Sequence, residues 1–218
     1  MRVCLLPGVL VAIEGIDGAG KTTQARRLAS RIEALGIAVV RTKEPTDGPW
    51  GRTLRASAAN GRLAPEEELH AFMEDRRQHV AELIAPSCAE GKLVIVDRYY
   101  FSTAAYQGAR GHDPEELLRR NEAFAPAPEL LVLLAVEPRC GVERIAARGD
   151  RGNLFEREED LARSAAIFAA LSRPYLLRLD GSRDPEALGE EILAATLRLP
   201  AVARALSLAG GQAPTEDP

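Results

Sequence analysis

The sequence predicts an α/β domain built on a parallel five-stranded sheet flanked by helices on both faces. Two observations carry this. Apolar runs of strand length alternate with helical patterns along the chain, and most of the runs are nearly continuous in Val, Ile and Leu, as strands covered on both faces are. Strand-helix alternation in turn favours crossover connections between parallel strands. The strands read as Val9–Glu14, Ile37–Thr42, Leu93–Asp97, Leu130–Val136 and Tyr175–Leu179. After the first, Ala25, Leu28, Ala29, Ile32 and Leu35 share one helical face, and Gly36 stands where a helix stops. Pro65 opens a long helix with Leu69, Phe72, Met73, Val80, Leu83 and Ile84 mostly on one side. Pro86 kinks it or begins its last turn. Asp113-Pro114-Glu115-Glu116 has the N-cap, proline and acids of a helix start. Pro138–Arg148, Glu158–Leu171 and Pro185–Leu197 complete the helices. With no internal repeat and no linker, residues 1–206 read as one domain. Residues 207–218, rich in Gly, Pro and acids, read as a disordered tail.

The chain has 218 residues, 46% hydrophobic and 28% charged, with a formal net charge of −4. That composition suits a globular protein with a real core and gives no polybasic surface for nucleic acid, so a polyanion must be met by a local cluster of Lys and Arg. No apolar run approaches the roughly 18 residues of a membrane span, and Met1–Leu10 lacks the full pattern of a cleaved signal. Cys4, Cys88 and Cys140 are isolated and lack metal-ligand spacing. The expectation is a cytoplasmic protein with reduced thiols and no membrane or nucleic-acid partner.

Gly15-Ile16-Asp17-Gly18-Ala19-Gly20-Lys21-Thr22 then stands between a predicted strand and a predicted helix. This is the full phosphate-loop pattern in its required context, and it assigns the chain to the P-loop NTPase fold. Glycines let the backbone turn its N–H groups inward onto phosphate oxygens, and the helix N-terminus adds partial positive charge. Gly15 through Thr22, with Thr23, are the expected ATP contacts. Lys21 reaches the β- and γ-phosphates, and the Thr22 hydroxyl suits Mg²⁺. Asp97, at the end of the third strand, is the second candidate for the Mg²⁺ site.

Three further patches narrow the chemistry: Lys43-Glu44-Pro45-Thr46, Phe72-Met73-Glu74-Asp75-Arg76, and Asp97-Arg98-Tyr99-Tyr100-Phe101-Ser102-Thr103-Ala104-Ala105-Tyr106-Gln107-Gly108. Arg98 follows a parallel strand at the edge where open α/β sheets bind ligands, and its planar fork suits phosphate. Phe72 and Arg76, four apart on one helical face, could stack on a base and donate to its carbonyl. Core packing of Phe72 and Tyr106, and an exposed charged face for Arg76, are the competing readings. Tyr106 and Gln107 offer a phenol and an amide.

In their order and spacing these patches resemble the thymidylate kinase family, from about Val9 to about Leu197. The resemblance implies ATP- and Mg²⁺-dependent phosphorylation of dTMP. It implies that Phe72 stacks on thymine, that Arg76 bonds a thymine carbonyl, and that Arg98 grips the acceptor phosphate beside Lys43, Glu44 and Pro45. Tyr106 then lies near the deoxyribose, Ser102 and Gln107 near the base, and Asp17 matches the acid that contacts the 3′-hydroxyl. It also implies a homodimer, for which the long helix from Pro65 is a candidate face. Gly18 stands where one branch of the family has a basic residue, so the catalytic arginine is expected from a short lid at about residues 148–157. Arg148 and Arg151 are the equal candidates there, with Arg157 behind them.

The chain also departs from the family pattern. Lys43 replaces an arginine, Thr46–Arg52 replaces a Gly-rich turn, and Ala135 stands where an acid is common. Arg41, Arg52 and Arg55 are candidates for the missing fork. Two alternatives follow: a kinase of this fold acting on another nucleotide or nucleoside, and a nucleotide-binding regulator without turnover.

Overall fold

The computed structural model describes residues 3–147 and 154–210. Five strands, β1 (Val9–Glu14), β2 (Val39–Lys43), β3 (Leu93–Asp97), β4 (Leu130–Ala135) and β5 (Leu176–Asp180), form one sheet in the order β2-β3-β1-β4-β5, and every neighbouring pair is parallel. The expected strands are therefore present, with bounds shifted by one or two residues at β2, β4 and β5. Alternation divides the core. Leu10, Ala12, Val94, Val96, Leu131 and Leu133 face one side, and Val9, Val11, Ile13, Ile95, Val132 and Leu134 the other. The two edge strands are less covered: Arg41 and Lys43 on β2, and Arg178 and Asp180 on β5, are exposed.

The second of these faces is covered by α1 (Lys21–Ala34), α9 (Pro185–Leu197) and α10 (Pro200–Gly210). Helix α10 corrects the sequence reading, which began the tail at Ser207. The helix continues to Gly210 and buries Val202 and Ala205. Residues 211–218 lie outside the described residues. The opposite face is covered by α3 (Pro65–His79), α5 (Tyr100–Gly108), α6 (Pro114–Glu122), α7 (Pro138–Ala146) and α8 (Leu154–Ala170). The side chain of Asp113 caps α6 as its sequence predicts, accepting from Glu115 N–H at 3.0 Å and Glu116 N–H at 3.4 Å.

Two further corrections concern local chemistry. The segment read as a turn at Thr46–Arg52 opens a helix, α2 (Pro49–Asn60), with Pro49 in its first turn where no N–H is needed. The long helix from Pro65 is not uniformly α-helical before Pro86, which stands in the first turn of the last short helix of the run, as one of the two sequence readings has it. Val80–Ile84 widens into a π-helical stretch and α4 (Ala85–Ala89) continues from it. Pro86 lacks an N–H and its ring crowds the carbonyl four residues back, and a wider turn upstream removes that conflict. Among the described residues no single helix is long and apolar enough to cross a membrane.

Gly91 ends α4 at φ 74°. Its N–H donates to Cys88 O at 3.0 Å and Lys92 N–H donates to Ser87 O at 3.1 Å, the paired bonds of a Schellman close. This aims the chain straight into β3. A Cβ there would sit 2.3 Å from Cys4 Sγ and 2.6 Å from Leu5 O. Gly91→Ala is therefore expected to destabilise the fold by about 1–3 kcal/mol. In a thermal melt this is a fall of roughly 2–12 °C, and an unshifted midpoint would refute the clash.

Candidate active site

The C-terminal ends of β1, β2 and β3 deliver the chemistry to one edge of the sheet. In register, Asp97 on β3 lies level with Ile13 on β1 and Lys43 on β2. Directly beyond these positions come the phosphate loop, the Glu44-Pro45 segment and Arg98. Thus three residues far apart in sequence become neighbours because parallel strands end together.

The phosphate loop turns at Gly15, Gly18 and Gly20, all with positive φ. Gly18 is needed twice over, since a Cβ there would also lie 2.4 Å from Gly141 O on α7. Lys21 Nζ donates to Gly15 O at 2.9 Å and Ile16 O at 2.8 Å. Burial, and then the neighbouring Arg98 charge, lower its pKa to about 7 against the pull of Asp17, Asp97 and Glu14. The Thr22 hydroxyl donates to Asp97 Oδ2. A hydroxyl and a carboxylate are hard oxygen donors of the kind Mg²⁺ takes, so both residues named for the metal stand together and fit it. Asp17 differs from the expectation for the loop. Its N–H is given to the Tyr106 hydroxyl at 3.0 Å, so this amide turns away from the phosphate cradle.

Arg98 is the hinge between two cavities. Its backbone is left-handed at φ 69°, alone among the described non-glycine residues, a conformation that surroundings must enforce. They do so through its side chain: Nη2 pairs with Asp17 Oδ1, Nη1 donates to Ser102 Oγ at 3.1 Å, and the guanidinium lies 5.2 Å from the Tyr106 ring centroid. Burial opposes the Arg98 charge, but Tyr106, Asp17 and Glu14 outweigh it and raise its pKa. Burial also opposes ionisation of Asp17, and Arg98, Lys21 and Tyr106 overcome it and hold that carboxyl below its usual range. Tyr106 is pushed up to about 12 by burial.

One cavity, of about 220 Å³, is lined by Gly18, Gly20, Lys21, Thr22, Thr23, Lys43 and Asp97. The other, of about 230 Å³, is lined by Phe72, Arg76, Ser102, Tyr106 and Gln107, together with Pro45, Arg62, Tyr99 and Thr103. Asp17, Glu44 and Arg98 line both. The sequence-derived residues line these two cavities, apart from Gly15, Ile16 and Ala19, which line neither, and the lid arginines. Arg148 and Arg151 lie outside the described residues, as does the side chain of Arg157. Helix α8 begins at Leu154, inside the stretch read as lid.

Phe72 is half-buried on the cavity wall, so it is available for more than core packing. Arg76 is 1% exposed, which rules out the exposed-face reading. Its Nε donates to Glu44 Oε2 at 2.9 Å, its Nη2 to the same oxygen at 2.5 Å and to Thr103 Oγ1 at 3.1 Å, and its Nη1 to Asn121 Oδ1 at 2.7 Å. Of its five N–H groups, one remains without a partner among the described residues. Glu44 also binds His79 Nδ1 at 3.0 Å, and Thr42 Oγ1 lies 2.8 Å from His79 Nε2. Asp75, 1% exposed, accepts from Thr46 N–H at 2.8 Å and the Thr46 hydroxyl at 2.6 Å. Gln107 donates from Nε2 to Glu68 Oε2 at 2.9 Å, which fixes the sense of its amide, and its buried Oε1 has no partner among the described residues.

Lys43 is exposed and lies 3.8 Å from Asp47. Of the three candidates for its missing fork, Arg41 is exposed on β2 and lines neither cavity, and the other two do other work. Arg52 donates to Asp47 O at 2.8 Å and Arg55 to Pro45 O at 3.0 Å, bracing the loop. Arg62, held by Glu68 at 3.1 Å, lines the Phe72 cavity along with Arg76 and Arg98. Sequence reading missed Glu14, Glu68, Arg62, Asn121, Thr103 and His79. It also missed Arg144, which donates to Gly18 O at 3.2 Å and Gly181 O at 3.1 Å. A charged Glu14 ending an otherwise apolar strand was the one signal available.

Comparison with known proteins agrees with this geometry. Residues 13–192 match the family model described as thymidylate kinase. The thymidylate kinase of Xanthomonas euvesicatoria pv. vesicatoria strain 85-10 is 54% identical over 189 residues, 86% of this chain and 83% of that protein. That of Xanthomonas campestris pv. campestris strain B100 is 52% identical with the same coverage, and that of Xylella fastidiosa strain M12 is 52% identical over 179 residues, 82% of each chain. The chain belongs to the thymidylate kinase family.

Proposed function

We propose that this protein transfers the terminal phosphoryl group of ATP to the 5′-phosphate of dTMP, giving ADP and dTDP. The observation that carries the reading is the meeting of the phosphate-loop cavity and the Phe72 cavity at Asp17, Glu44 and Arg98. An acceptor oxygen attacks the γ-phosphorus while the bond from that phosphorus to the β–γ bridging oxygen breaks. The nucleophile is already anionic, so positioning and charge compensation carry the rate. Lys21 serves the donor phosphates. Arg98 grips the acceptor phosphate, with Lys43 as a less directional neighbour. Thr22 and Asp97 hold Mg²⁺, which supplies charge neutralisation on the donor phosphates. Arg148 or Arg151 supplies the remaining cation.

The base side supports a pyrimidine with a protonated N3. Phe72 offers a ring face, the remaining Arg76 N–H suits a carbonyl oxygen, and Gln107 Oε1 is an acceptor in need of a donor. Thymine has an N3–H where cytosine has a lone pair. The Tyr106 hydroxyl is engaged with Asp17 at 3.2 Å, which supports a fixed wall beside the deoxyribose and an Asp17 carboxylate ready for the 3′-hydroxyl. The free thiols of Cys4, Cys88 and Cys140 are compatible with the cytoplasm, and a homodimer remains part of the reading.

An ADP-release assay with ATP, Mg²⁺ and separate dTMP, dUMP, dCMP, UMP, AMP, GMP and thymidine tests this. dTMP is expected to be fastest and dCMP slower by a factor of about 100 or more, as a site left with an unpaired buried polar group discriminates. Turnover of another acceptor with none of dTMP would overturn the base assignment and leave the phosphate chemistry standing.

Arg76→Met separates stability from recognition. It leaves the buried Glu44 carboxylate with His79 alone, so urea unfolding is expected to show a loss of up to about 3–5 kcal/mol along with lost dTMP turnover. Unchanged stability would show that Glu44 is not dependent on this partner.

Gly141→Ala tests how α7 seats the phosphate loop. A Cβ there would lie 2.6 Å from Asp17 O, so kcat/KM for ATP is expected to fall by about 10- to 100-fold. A change within twofold would mean the loop is not registered by this contact.

A further inference from the structure

Glu14 is the last residue of β1, 0% exposed, and none of the roles above uses it. Its Oε1 accepts from Tyr99 N–H at 2.7 Å and Ser102 N–H at 3.0 Å, and its Oε2 accepts from the Ser102 hydroxyl at 2.6 Å. Tyr99 is the N-cap of α5 and makes no side-chain cap bond, so a carboxylate from another element takes the N-cap N–H and the N–H of Ser102, the third helical residue. Burial pushes the Glu14 carboxyl up. The bonds from Ser102 and Tyr99 and the charges of Arg98 and Lys21 work in the other direction.

The direction of the Ser102 bond has a consequence for Arg98. A carboxylate can only accept, and a serine hydroxyl has one proton. That proton goes to Glu14, so the oxygen lone pairs of Ser102 face the Arg98 Nη1–H at 3.1 Å. Arg98 Nη2 is held on its other side by Asp17. Glu14 is joined covalently to Gly15, the first residue of the phosphate loop, and through Ser102 to the arginine beside the acceptor cavity.

We propose that Glu14 is a positioning residue which, through Ser102, fixes the plane of the Arg98 guanidinium relative to the phosphate loop. The proposal rests on the assignment of Arg98 to the acceptor phosphate. Glutamine at this position keeps the shape but presents an N–H to one of three donors, so the Ser102 hydroxyl must turn or lose a partner.

The test is a kinetic double-mutant cycle of Glu14→Gln and Ser102→Ala. Each single variant is expected to lower kcat about 10- to 100-fold, with KM for ATP within about twofold of wild type. The double variant is expected to fall no further than the worse single one, because both break the same relay. Losses that multiply would overturn the relay, and so would a KM for ATP that rises in step with the loss, since that places the effect on the donor side. The cycle also separates the relay from a direct contact of Ser102 with the acceptor, which would multiply with Glu14→Gln. Should Glu14→Gln fail to fold, Glu14→Asp replaces it in the same cycle, and the second arm stays Ser102→Ala. The serine substitution leaves both backbone bonds to Glu14 intact, and full activity would sink the proposal. The cycle is run with whichever monophosphate the wild-type protein turns over, so a wrong base and a wrong role for Glu14 give separate results.

Discussion

The site depends on holding cations close together where burial strips away part of their hydration. Lys21 and Arg98 repel each other, and burial penalises both. The structure answers with carboxylates placed around them. Glu14 lies behind Arg98 at the root of the loop, Asp17 beside it, and Asp97 at the end of the neighbouring strand. Lys21 is left the less compensated of the two, with its Nζ on loop carbonyls. A phosphate group is the kind of partner such a lysine suits. The electrostatic field is thus prepared in advance, and little reorganisation is left for the moment of transfer.

The acceptor side is built by the same rule but with the opposite balance. Arg76 is almost fully committed to Glu44, Thr103 and Asn121, and Glu44 is shared with His79. A guanidinium whose donors are mostly consumed has its orientation determined by the protein. Its one remaining N–H gives direction, and the cost of mispairing falls on a buried group. Asp75 plays the matching part for the backbone, since its two bonds to Thr46 pin the segment after Pro45 against α3.

Much of the fold was legible because its signals are local. Continuous Val, Ile and Leu runs mark β1, β3 and β4, and the phosphate loop declares its own strand and helix. The missed helices lack such signals. In α2, Trp50, Arg52 and Arg55 break any clean apolar face. α5 is apolar nearly all round, with Tyr100 to Ala105 buried, so periodicity could not define it. In the site, Phe72, Arg76, Arg98 and Tyr106 were legible because they fall in compact patches. Their partners were not. Glu14 and Ser102 are 88 residues apart and Glu44 and Arg76 are 32 apart, and spacing reports neighbours on one element, not those that sheet order brings together. Arg52 and Arg55, read as candidates for a phosphate fork, each fold back onto their own loop.

The charged residues exposed along β2 and β5 limit how copies of this chain can associate. Arg41 and Lys43 on one rim, and Arg178 and Asp180 on the other, interrupt the backbone template that an unpaired strand offers to a second chain. Sheet-to-sheet growth is thereby disfavoured at both rims, including during synthesis, when such rims are exposed. Ordered self-association is left to the helical faces, where it does not extend the sheet.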